Sequence, residues 1–206
     1  MKKIKVLIAD DHTIVRIGLK ALFDYEPDIE VVGEAKNGEQ AIRETLRTNP
    51  DVVIMDLVMP RKDGVTATRE ICAKNPSIKV LILTTFGTSD GIAHALEAGA
   101  TGAMMKTADD SKIVSALRKL ARGQTYISPE VRKQLDESPP VPGLSPRQEQ
   151  VLKLIVDGMT NKQISAAVGI RPDSVDAVTN VIFHKLGAAN RAEAVAIALR
   201  KHLLKI

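Results

Sequence analysis

The stretch that decides the fold is Ile-Lys-Val-Leu-Ile-Ala-Asp-Asp at residues 4–11, together with Val-Val-Ile-Met-Asp at residues 52–56. Each is a short, almost continuously apolar run that ends abruptly in carboxylates. An apolar run of this length is typical of a strand in a parallel sheet that is covered by helices on both faces. The two runs therefore predict such a sheet, with acidic side chains at the carboxyl ends of its strands.

The same alternation of strand-like and helix-like segments extends over the first 121 residues. Short runs rich in β-branched residues alternate with amphipathic segments in which apolar residues recur at helical spacing. This repeat predicts an α/β doubly wound five-stranded parallel sheet. The predicted strands are residues 4–9, 29–33, 52–55, 80–83 and 102–105, and the predicted helices lie near 13–23, 38–47, 66–74, 89–98 and 110–121.

The strand-like pattern ends near Gly123. Beyond it, residues 138–143 read Ser-Pro-Pro-Val-Pro-Gly, which predicts a stiff, non-helical connection. We therefore predict a first domain at residues 1–123, a linker at residues 124–143 with room for a short helix around 129–135, and a second domain at residues 144–206.

The second domain is predicted to be all-α, with four helices identified by their caps. Ser or Thr followed three residues later by Gln is a capping box, and two such boxes begin at Ser145 and Thr160. A third helix is predicted at about 174–186 and a fourth after Asn190. Two short helices joined by a turn that contains Gly169 are typical of a helix-turn-helix.

Composition and charge exclude several classes of protein. Hydrophobic residues make up 44% of the 206 residues and charged residues 26%, which argues against disorder. The single cysteine, Cys72, excludes an internal disulfide and fits a reducing cytoplasm. The first apolar run is too short for a secretion signal or a membrane span.

The basic excess lies near the end of the chain. Residues 144–206 carry nine Lys/Arg against five Asp/Glu, whereas residues 1–124 carry 18 against 17. This distribution is expected if the second domain binds nucleic acid, although a solvated helical surface is the alternative.

Five polar residues follow the predicted strands at their ends. Asp10 and Asp11 follow the first strand, Asp56 the third, Thr84 the fourth and Lys106 the fifth. Because the carboxyl ends of parallel strands meet at one edge of the sheet, these side chains are expected to lie together. Clustered carboxylates repel one another unless a cation lies among them, and hard oxygen ligands favour Mg²⁺. Any one acid could be a solvated loop residue, but the five together favour phosphoryl transfer onto a carboxylate.

These motifs resemble those of receiver domains, and residues 144–191 resemble a LuxR-type helix-turn-helix. Over nearly its full length the chain resembles the NarL/FixJ family of two-component response regulators. The resemblance implies a flavodoxin-like receiver that is phosphorylated by a sensor histidine kinase, and a cytoplasmic transcription regulator that forms a homodimer and binds double-stranded DNA. The motifs that carry it are Ile8 to His12, Met55 to Gly64, Leu83 to Thr85, and Gly99 to Gly102 leading to Lys106.

The resemblance also implies roles for the residues at the strand ends. It implies that Asp56 is the phosphoryl acceptor, that Thr84 moves toward the phosphoryl group, and that Lys106 pairs with the phosphoryl group. A receiver catalyses only its own phosphorylation and dephosphorylation, so the chain is not expected to be an enzyme in any wider sense. The implied Mg²⁺ ligands are Asp10, Asp11 (the direct one), Asp56 and the backbone carbonyl of Val58.

The second helix of a helix-turn-helix lies in the major groove and reads base edges with its exposed side. By resemblance Asp176, Ala177 and Asn180 occupy base-reading positions. Asn can pair with adenine, and Asp can accept a hydrogen bond from the cytosine amino group. The predicted core positions of this helix are Val175, Val178, Ile182 and Leu186. The candidate phosphate contacts, for which a solvated surface is the alternative, are Lys162, Arg171, Lys185 and Arg191.

The last predicted helix is more apolar than a supporting helix requires. It resembles the dimerisation helix of the family, and ordinary packing within the domain is the alternative. Its apolar residues are Ala194, Val195, Ile197, Ala198 and Leu199.

Several positions depart from the family pattern, and three of them carry predictions. Ala103 stands where an aromatic switch residue is usual, so the usual rotation coupled to Thr84 is not expected. Arg171 replaces the usual Ser or Thr cap, so Asp173 is expected to cap the third helix instead. Asp176 stands where a basic residue is common, which predicts weak or phosphorylation-dependent DNA affinity.

Two other classes of function fit parts of the pattern. An enzyme with an aspartyl-phosphate intermediate needs an acid/base carboxylate two residues after the nucleophile, where this chain has Val58. A binding module that regulates without phosphate is suggested by Ala103. Val58 and Phe86 place apolar groups beside the expected path of hydrolytic water, which predicts slow self-dephosphorylation.

Overall fold

The structure, a computed structural model, describes residues 3–85, 89–137, 143–201 and 203–204. The chain divides into two compact units, one up to residue 139 and the other from residue 140. Phe86 and the proline-rich residues 138–142 lie outside the described residues. The first unit contains β1 (Ile4–Ala9), α1 (Thr13–Asp24), β2 (Ile29–Ala35), α2 (Gly38–Thr48), β3 (Val52–Met55), α3 (Gly64–Lys74), β4 (Lys79–Thr84), α4 (Ser89–Glu97), β5 (Gly102–Met105), α5 (Asp110–Ala121), β6 (Tyr126–Ile127) and α6 (Pro129–Glu137).

The strands of the first unit form one parallel sheet in the order β2-β1-β3-β4-β5-β6. The predicted doubly wound α/β fold is therefore confirmed. Strand order reverses between β1 and β3, because the chain first builds outward to β2 and then returns to the other side of β1. Sheets of this kind bind ligands beyond the carboxyl ends of the strands at the point of reversal.

The strands are apolar throughout because helices cover both faces of the sheet. Along β1, Leu7 and Ala9 face a core that also includes residues of α2, α3, α4 and α6. Val6 and Ile8 face a second core, formed with α1 and α5. All four side chains are fully buried, which explains why the strand shows no alternation of polar and apolar residues.

The sheet gains a sixth strand from the segment that was predicted as a linker. Tyr126 and Ile127 pair with β5, and Ser128 donates a backbone hydrogen bond to the carbonyl of Ala103 at 2.9 Å. Helix α6 follows, and its Val131 is fully buried in the core that contains Ala103. Residues 124–137 thus belong to the first compact unit, and the short helix predicted around residues 129–135 is present as α6. The strand was not predicted because two residues are too few to show a period.

The second unit consists of α7 (Pro146–Val156), α8 (Asn161–Val168), α9 (Pro172–Leu186) and α10 (Arg191–Arg200). Both predicted capping boxes form: Ser145 and Thr160 each accept a hydrogen bond from the backbone N–H of the Gln three residues later. Gly169 adopts a left-handed conformation with φ of 67° and ends α8. The predicted all-α domain of four helices is confirmed.

Helix α9 begins earlier than predicted. Arg171 occupies the N-cap position without a side-chain cap, and Pro172 is the first helical residue, where its missing N–H costs nothing. The expectation that Asp173 caps this helix is wrong, because Asp173 lies within the first turn. There its carboxylate suits the positive end of the helix dipole.

Among the described residues, no helix combines the length and the apolar character that crossing a membrane would require.

Candidate functional site

Hydrogen bonds that continue the sheet hold the polar residues at its carboxyl edge. The N–H of Asp10 donates to Ala35 O at 3.0 Å, and the N–H of Asp56 donates to Ala9 O at 2.8 Å. Between β4 and β5, the N–H of Lys106 donates to Thr84 O at 2.8 Å. Each bond extends the ladder past the end of a strand, so the position of these side chains is set by the register of the sheet.

Asp10, Asp56 and Lys106 form a buried ionic cluster at this edge. Asp10 and Asp56 are 2% and 4% exposed, and Thr84 beside them is 1% exposed. The Lys106 Nζ atom lies 2.5 Å from Asp10 Oδ2 and 2.7 Å from Asp56 Oδ2. The other oxygen of Asp56, Oδ1, accepts a hydrogen bond from the N–H of Leu57 at 2.7 Å. One ammonium therefore balances two buried carboxylates.

Burial and pairing act in opposite directions on these groups. Burial raises the pKa of Asp56 above its ordinary value, and the hydrogen bond from Lys106 only partly offsets this rise. Burial by itself would lower the pKa of Lys106, but its hydrogen bonds to Asp10 and Asp56 raise that pKa above its ordinary value. The site is thus short of positive charge, since two carboxylates share one cation.

Asp11 and His12 extend the cluster toward solvent. Ligand atoms of Asp10, Asp11, His12 and Asp56 all lie within 4.8 Å of one another. His12 Nδ1 lies 2.8 Å from Asp11 Oδ1 and 3.2 Å from Asp10 Oδ1. Three carboxylates on one side of a pocket that is open at Asp11 are the donor set and the access that Mg²⁺ requires, so these residues fit the ion.

Two further residues shape the pocket. Arg16 donates from Nη1 to the backbone carbonyl of Asp10 at 2.9 Å and to that of Asp11 at 3.3 Å, which fixes the loop after β1. Gly64 is required because a Cβ there would lie 2.0 Å from the carbonyl oxygen of Asp56. Sequence reasoning did not single out Arg16, because a basic residue one turn into an amphipathic helix is indistinguishable from a solvated one.

The loop after β3 forms the outer rim of the pocket. The side chain of Val58, two residues after Asp56, is 69% exposed. Arg61 in the same loop has a φ of 66°, in the left-handed region that favours glycine.

Helix α9 presents the predicted face to solvent. Asp176, Ala177 and Asn180 are exposed, as is Val181, while Val175, Ile182 and Leu186 are buried in the core of the second unit. Val178 is only partly buried, and Thr179 is buried in addition to the predicted core positions.

The four basic residues proposed for phosphate contact fall into two groups. Lys162 and Arg171 are exposed. Lys185 is half-buried and donates to Gly143 O at 2.7 Å and to Gln148 Oε1 at 2.9 Å. Arg191 is half-buried and donates to the carbonyl oxygens of Ile155 and Met159 and to Asn161 Oδ1. The second group thus has partners distant in the sequence, whereas Nη2 of the exposed Arg171 lies 3.5 Å from Oδ2 of the neighbouring Asp173.

Helix α10 uses much of its apolar surface inside the second unit. Ala194, Ile197 and Ala198 are buried in the core of that unit, and Val195 is partly buried. Leu199 is 46% exposed.

The chain matches two protein-family models. The model of the response regulator receiver domain matches residues 6–118, and that of the bacterial regulatory proteins of the luxR family matches residues 142–198. Together the two models cover most of the chain.

Similar proteins match along their whole length. The transcriptional regulatory protein LiaR of Bacillus subtilis is 35% identical over 209 residues, which cover 98% of this chain and 99% of LiaR. The response regulator protein VraR of Staphylococcus aureus is 37% identical over 212 residues, with the same coverage. The crystal structure of the response regulator ChrA of a heme-sensing two-component system is similar with a TM-score of 0.59 at 36% identity, covering 99% of this chain and 100% of ChrA.

Proposed function

Since the chain belongs to the family of two-component response regulators that carry a receiver domain and a LuxR-type DNA-binding domain, we propose that phosphoryl transfer to Asp56 controls its dimerisation and its binding to specific DNA. The protein is a transcription regulator and not a conventional enzyme. The observation that carries the proposal is the cluster in which the buried Asp56 carboxylate lies beside Asp10 and is held by Lys106 and the N–H of Leu57.

Asp56 is the nucleophile of the proposed transfer. The donor is the phosphohistidine of a sensor histidine kinase, and its P–N bond breaks as a P–O bond forms to a carboxylate oxygen of Asp56. The imidazole leaves with the electron pair of the broken bond. Lys106, already 2.7 Å from Asp56 Oδ2, balances the charge of the phosphoryl oxygens, and the Thr84 hydroxyl donates to one of them.

Asp10, Asp11 and Asp56 would hold Mg²⁺, together with the backbone carbonyl of Val58. The bound ion would supply the positive charge that two buried carboxylates with a single ammonium lack, and it would neutralise phosphoryl oxygens. Asp11 suits the role of direct ligand because it is the exposed carboxylate of the cluster.

The second unit, from residue 144 onward, is the proposed DNA-binding part. Helix α9 would enter the major groove with Asp176, Ala177 and Asn180 toward the bases. Lys162 and Arg171, which are exposed, would contact phosphates. Lys185 and Arg191 would contact phosphates at the edge of this DNA-binding surface. Their hydrogen bonds to the backbone carbonyls of Gly143 and Met159 would also hold the neighbouring loops in place.

Dimerisation on phosphorylation would bring two copies of α9 onto two half-sites of a DNA duplex. The exposed Leu199 of α10 is available for contact with a second copy. Because the phosphoryl donor and the DNA both lie in the cytoplasm of a bacterium, we place the protein there.

The test is phosphorylation of the full chain by acetyl phosphate with Mg²⁺, followed by intact mass and by a phosphate-affinity gel. We expect one phosphoryl group on the wild-type protein and none on Asp56→Asn. Asp24→Asn, which changes an exposed acid at the end of α1, serves as the matched control and should be modified like the wild type.

Modification of Asp56→Asn to the wild-type extent would contradict the assignment of the acceptor. Absence of any acyl phosphate on the wild-type protein would favour a regulator that works without phosphate, the function that Ala103 suggests.

A further inference from the structure

Three side chains from three helices form a hydrogen-bonded chain that ends on the exposed face of α9. Arg191, the first residue of α10, donates from Nη1 to Asn161 Oδ1 at 3.3 Å. Asn161, the first residue of α8, donates from Nδ2 to Asp176 Oδ1 at 2.6 Å. The hydrogen bonds therefore connect the half-buried guanidinium of Arg191, through the half-buried amide of Asn161, to the exposed carboxylate of Asp176.

The guanidinium at the inner end of this chain is fixed. Its Nη2 atom donates to the carbonyl oxygens of Ile155, near the end of α7, and of Met159 in the following loop. Arg191 thus contributes to the packing of α7, α8 and α10, and the Nη1 group that faces Asn161 has little freedom to move.

The orientation of the Asn161 amide follows from its two partners. Arginine can only donate hydrogen bonds, and an ionised carboxylate can only accept them. The amide must therefore turn its oxygen toward Arg191 and its nitrogen toward Asp176. The flipped amide would place donor against donor and acceptor against acceptor.

Asp176 is consequently held with one oxygen occupied and one available. Oδ1 accepts from Asn161, which leaves Oδ2 to accept a further hydrogen bond on the exposed side of α9. A carboxylate on a DNA-binding helix repels phosphates, so its presence is costly for affinity unless it accepts a bond from a base. The base group that donates to a carboxylate in the major groove is the N4 amino group of cytosine.

We propose that Asp176 selects cytosine at one position of each half-site, and that Asn161, fixed by Arg191, is the positioning residue that gives Asp176 this selectivity. The inference rests on the proposed function, namely that α9 reads the major groove. Because the Asp176 carboxylate is already oriented before DNA binds, no side-chain entropy is lost in ordering it. The hydrogen bond to cytosine therefore contributes more to selectivity.

The experiment selects binding sites for the full chain, activated with beryllofluoride and Mg²⁺, from a library of duplexes with a randomised segment. Affinities are then measured for the selected duplex and for duplexes with each other base pair at every selected C·G position. For the wild-type protein we expect one C·G pair per half-site to be preferred roughly five- to tenfold, the lower end of what a good base contact provides.

Three variants separate base selection from charge. Asp176→Ala should lose the preference for that C·G pair and bind non-specific DNA more tightly, since it removes a negative charge. Asp173→Ala, the matched control, removes a charge from the first turn of the same helix and should tighten binding without altering the preference. Asn161→Ala should lower the preference severalfold while the slope of affinity against salt stays that of the wild type.

Circular dichroism melting of each variant shows whether the second unit is intact. If Asn161→Ala lowers the melting temperature but keeps the full preference for C·G, the three residues are only a structural link and the positioning role is overturned. If Asp176→Ala keeps the preference, the cytosine assignment is overturned even though DNA binding stands. If the wild-type chain enriches no sequence at all, the proposed function fails, and the inference fails with it.

Discussion

At the scale of single residues, the acidic pocket depends on charges that are buried together without full compensation. Asp10 and Asp56 share the ammonium of Lys106, and burial raises the pKa of Asp56. A cation that enters this pocket meets carboxylates whose negative charge is not yet balanced. Binding of Mg²⁺ and phosphorylation of Asp56 are therefore expected to change the stability of the first unit. Tyrosine fluorescence reports the unfolding of this unit selectively, because Tyr25 and Tyr126 both lie in it.

Mg²⁺ should stabilise the first unit, and Asp11 should be required for this effect. At a concentration about a hundredfold above the dissociation constant, a ligand of the folded state adds roughly 2.7 kcal/mol to the free energy of unfolding. Urea unfolding followed by tyrosine fluorescence, with Mg²⁺ or with a chelator, measures this gain. Asp11→Asn should lose most of it, whereas Glu30→Gln, an exposed acid on β2, should keep it. An equal gain in Asp11→Asn would argue against the metal site.

Arg61→Gly should stabilise the first unit. The left-handed conformation of Arg61 costs roughly 1–2 kcal/mol, and glycine relieves it but loses roughly 0.5–1 kcal/mol of chain entropy on folding. We expect a net gain of about 0.5–1 kcal/mol in the urea unfolding of the first unit. Arg69→Gly makes the same change inside α3, where the backbone is helical, and should cost about 1 kcal/mol. A loss of stability in Arg61→Gly would contradict the assignment of strain.

The residues at the strand ends were predictable, and the residues that support them were not. Asp10, Asp56 and Lys106 follow apolar strands directly, so the topology alone brings them together. The double contact of Arg16 with the loop after β1 depends on the direction of one long side chain, which leaves no pattern in the sequence.

At the scale of elements, caps explain where most of the described helices of the second unit begin. Ser145, Thr160 and Asn190 accept backbone hydrogen bonds at the starts of α7, α8 and α10. Helix α9 differs, because Arg171 offers no cap and its start is defined by Pro172. The proposed reading helix thus has a weaker N-terminus than its neighbours.

Arg171→Ser should strengthen that terminus and weaken DNA binding at once. A serine cap should raise the free energy of unfolding of the second unit by about 1 kcal/mol. Circular dichroism measures this gain, because the second unit contains helices but no tyrosine. Loss of one phosphate contact should lower the slope of log affinity against log salt by about 1. Lys162→Ser, which removes an exposed cation without providing a cap, should show the DNA effect alone. Unchanged stability in Arg171→Ser would contradict the capping argument.

Strand β6 was not predictable from the sequence, whereas the short helix allowed for around residues 129–135 is present as α6 (Pro129–Glu137). A proline-rich segment follows them, and a strand of two residues has no detectable period. Their position is set by tertiary contacts, namely the pairing of β6 with β5 and the burial of Val131 beside Ala103. Ala103, which stands where an aromatic residue is usual, is covered by β6 and α6, and the sequence gives no sign of this contact.

At the scale of the whole molecule, phosphorylation of one unit is proposed to control the affinity of the other for DNA. The two kinds of secondary structure were enough to predict two domains, whereas the roles of these domains followed from the residues at the strand ends and from the resemblance to response regulators. The attachment of β6 and α6 to the first unit was not predictable, because it depends on which residues pack against the edge of the sheet. Because Asp176 repels phosphates and the second unit exposes few cations, we expect the unphosphorylated protein to bind DNA weakly.

The most direct test of this account is the affinity of the full chain for its selected duplex, measured by fluorescence anisotropy with and without beryllofluoride and Mg²⁺. Couplings between sites are typically 5- to 150-fold, so we expect activation to tighten binding by at least about fivefold in the wild type and to have no effect in Asp56→Asn. Equal affinities of the activated and the untreated wild-type protein would contradict the claim that Asp56 controls DNA binding.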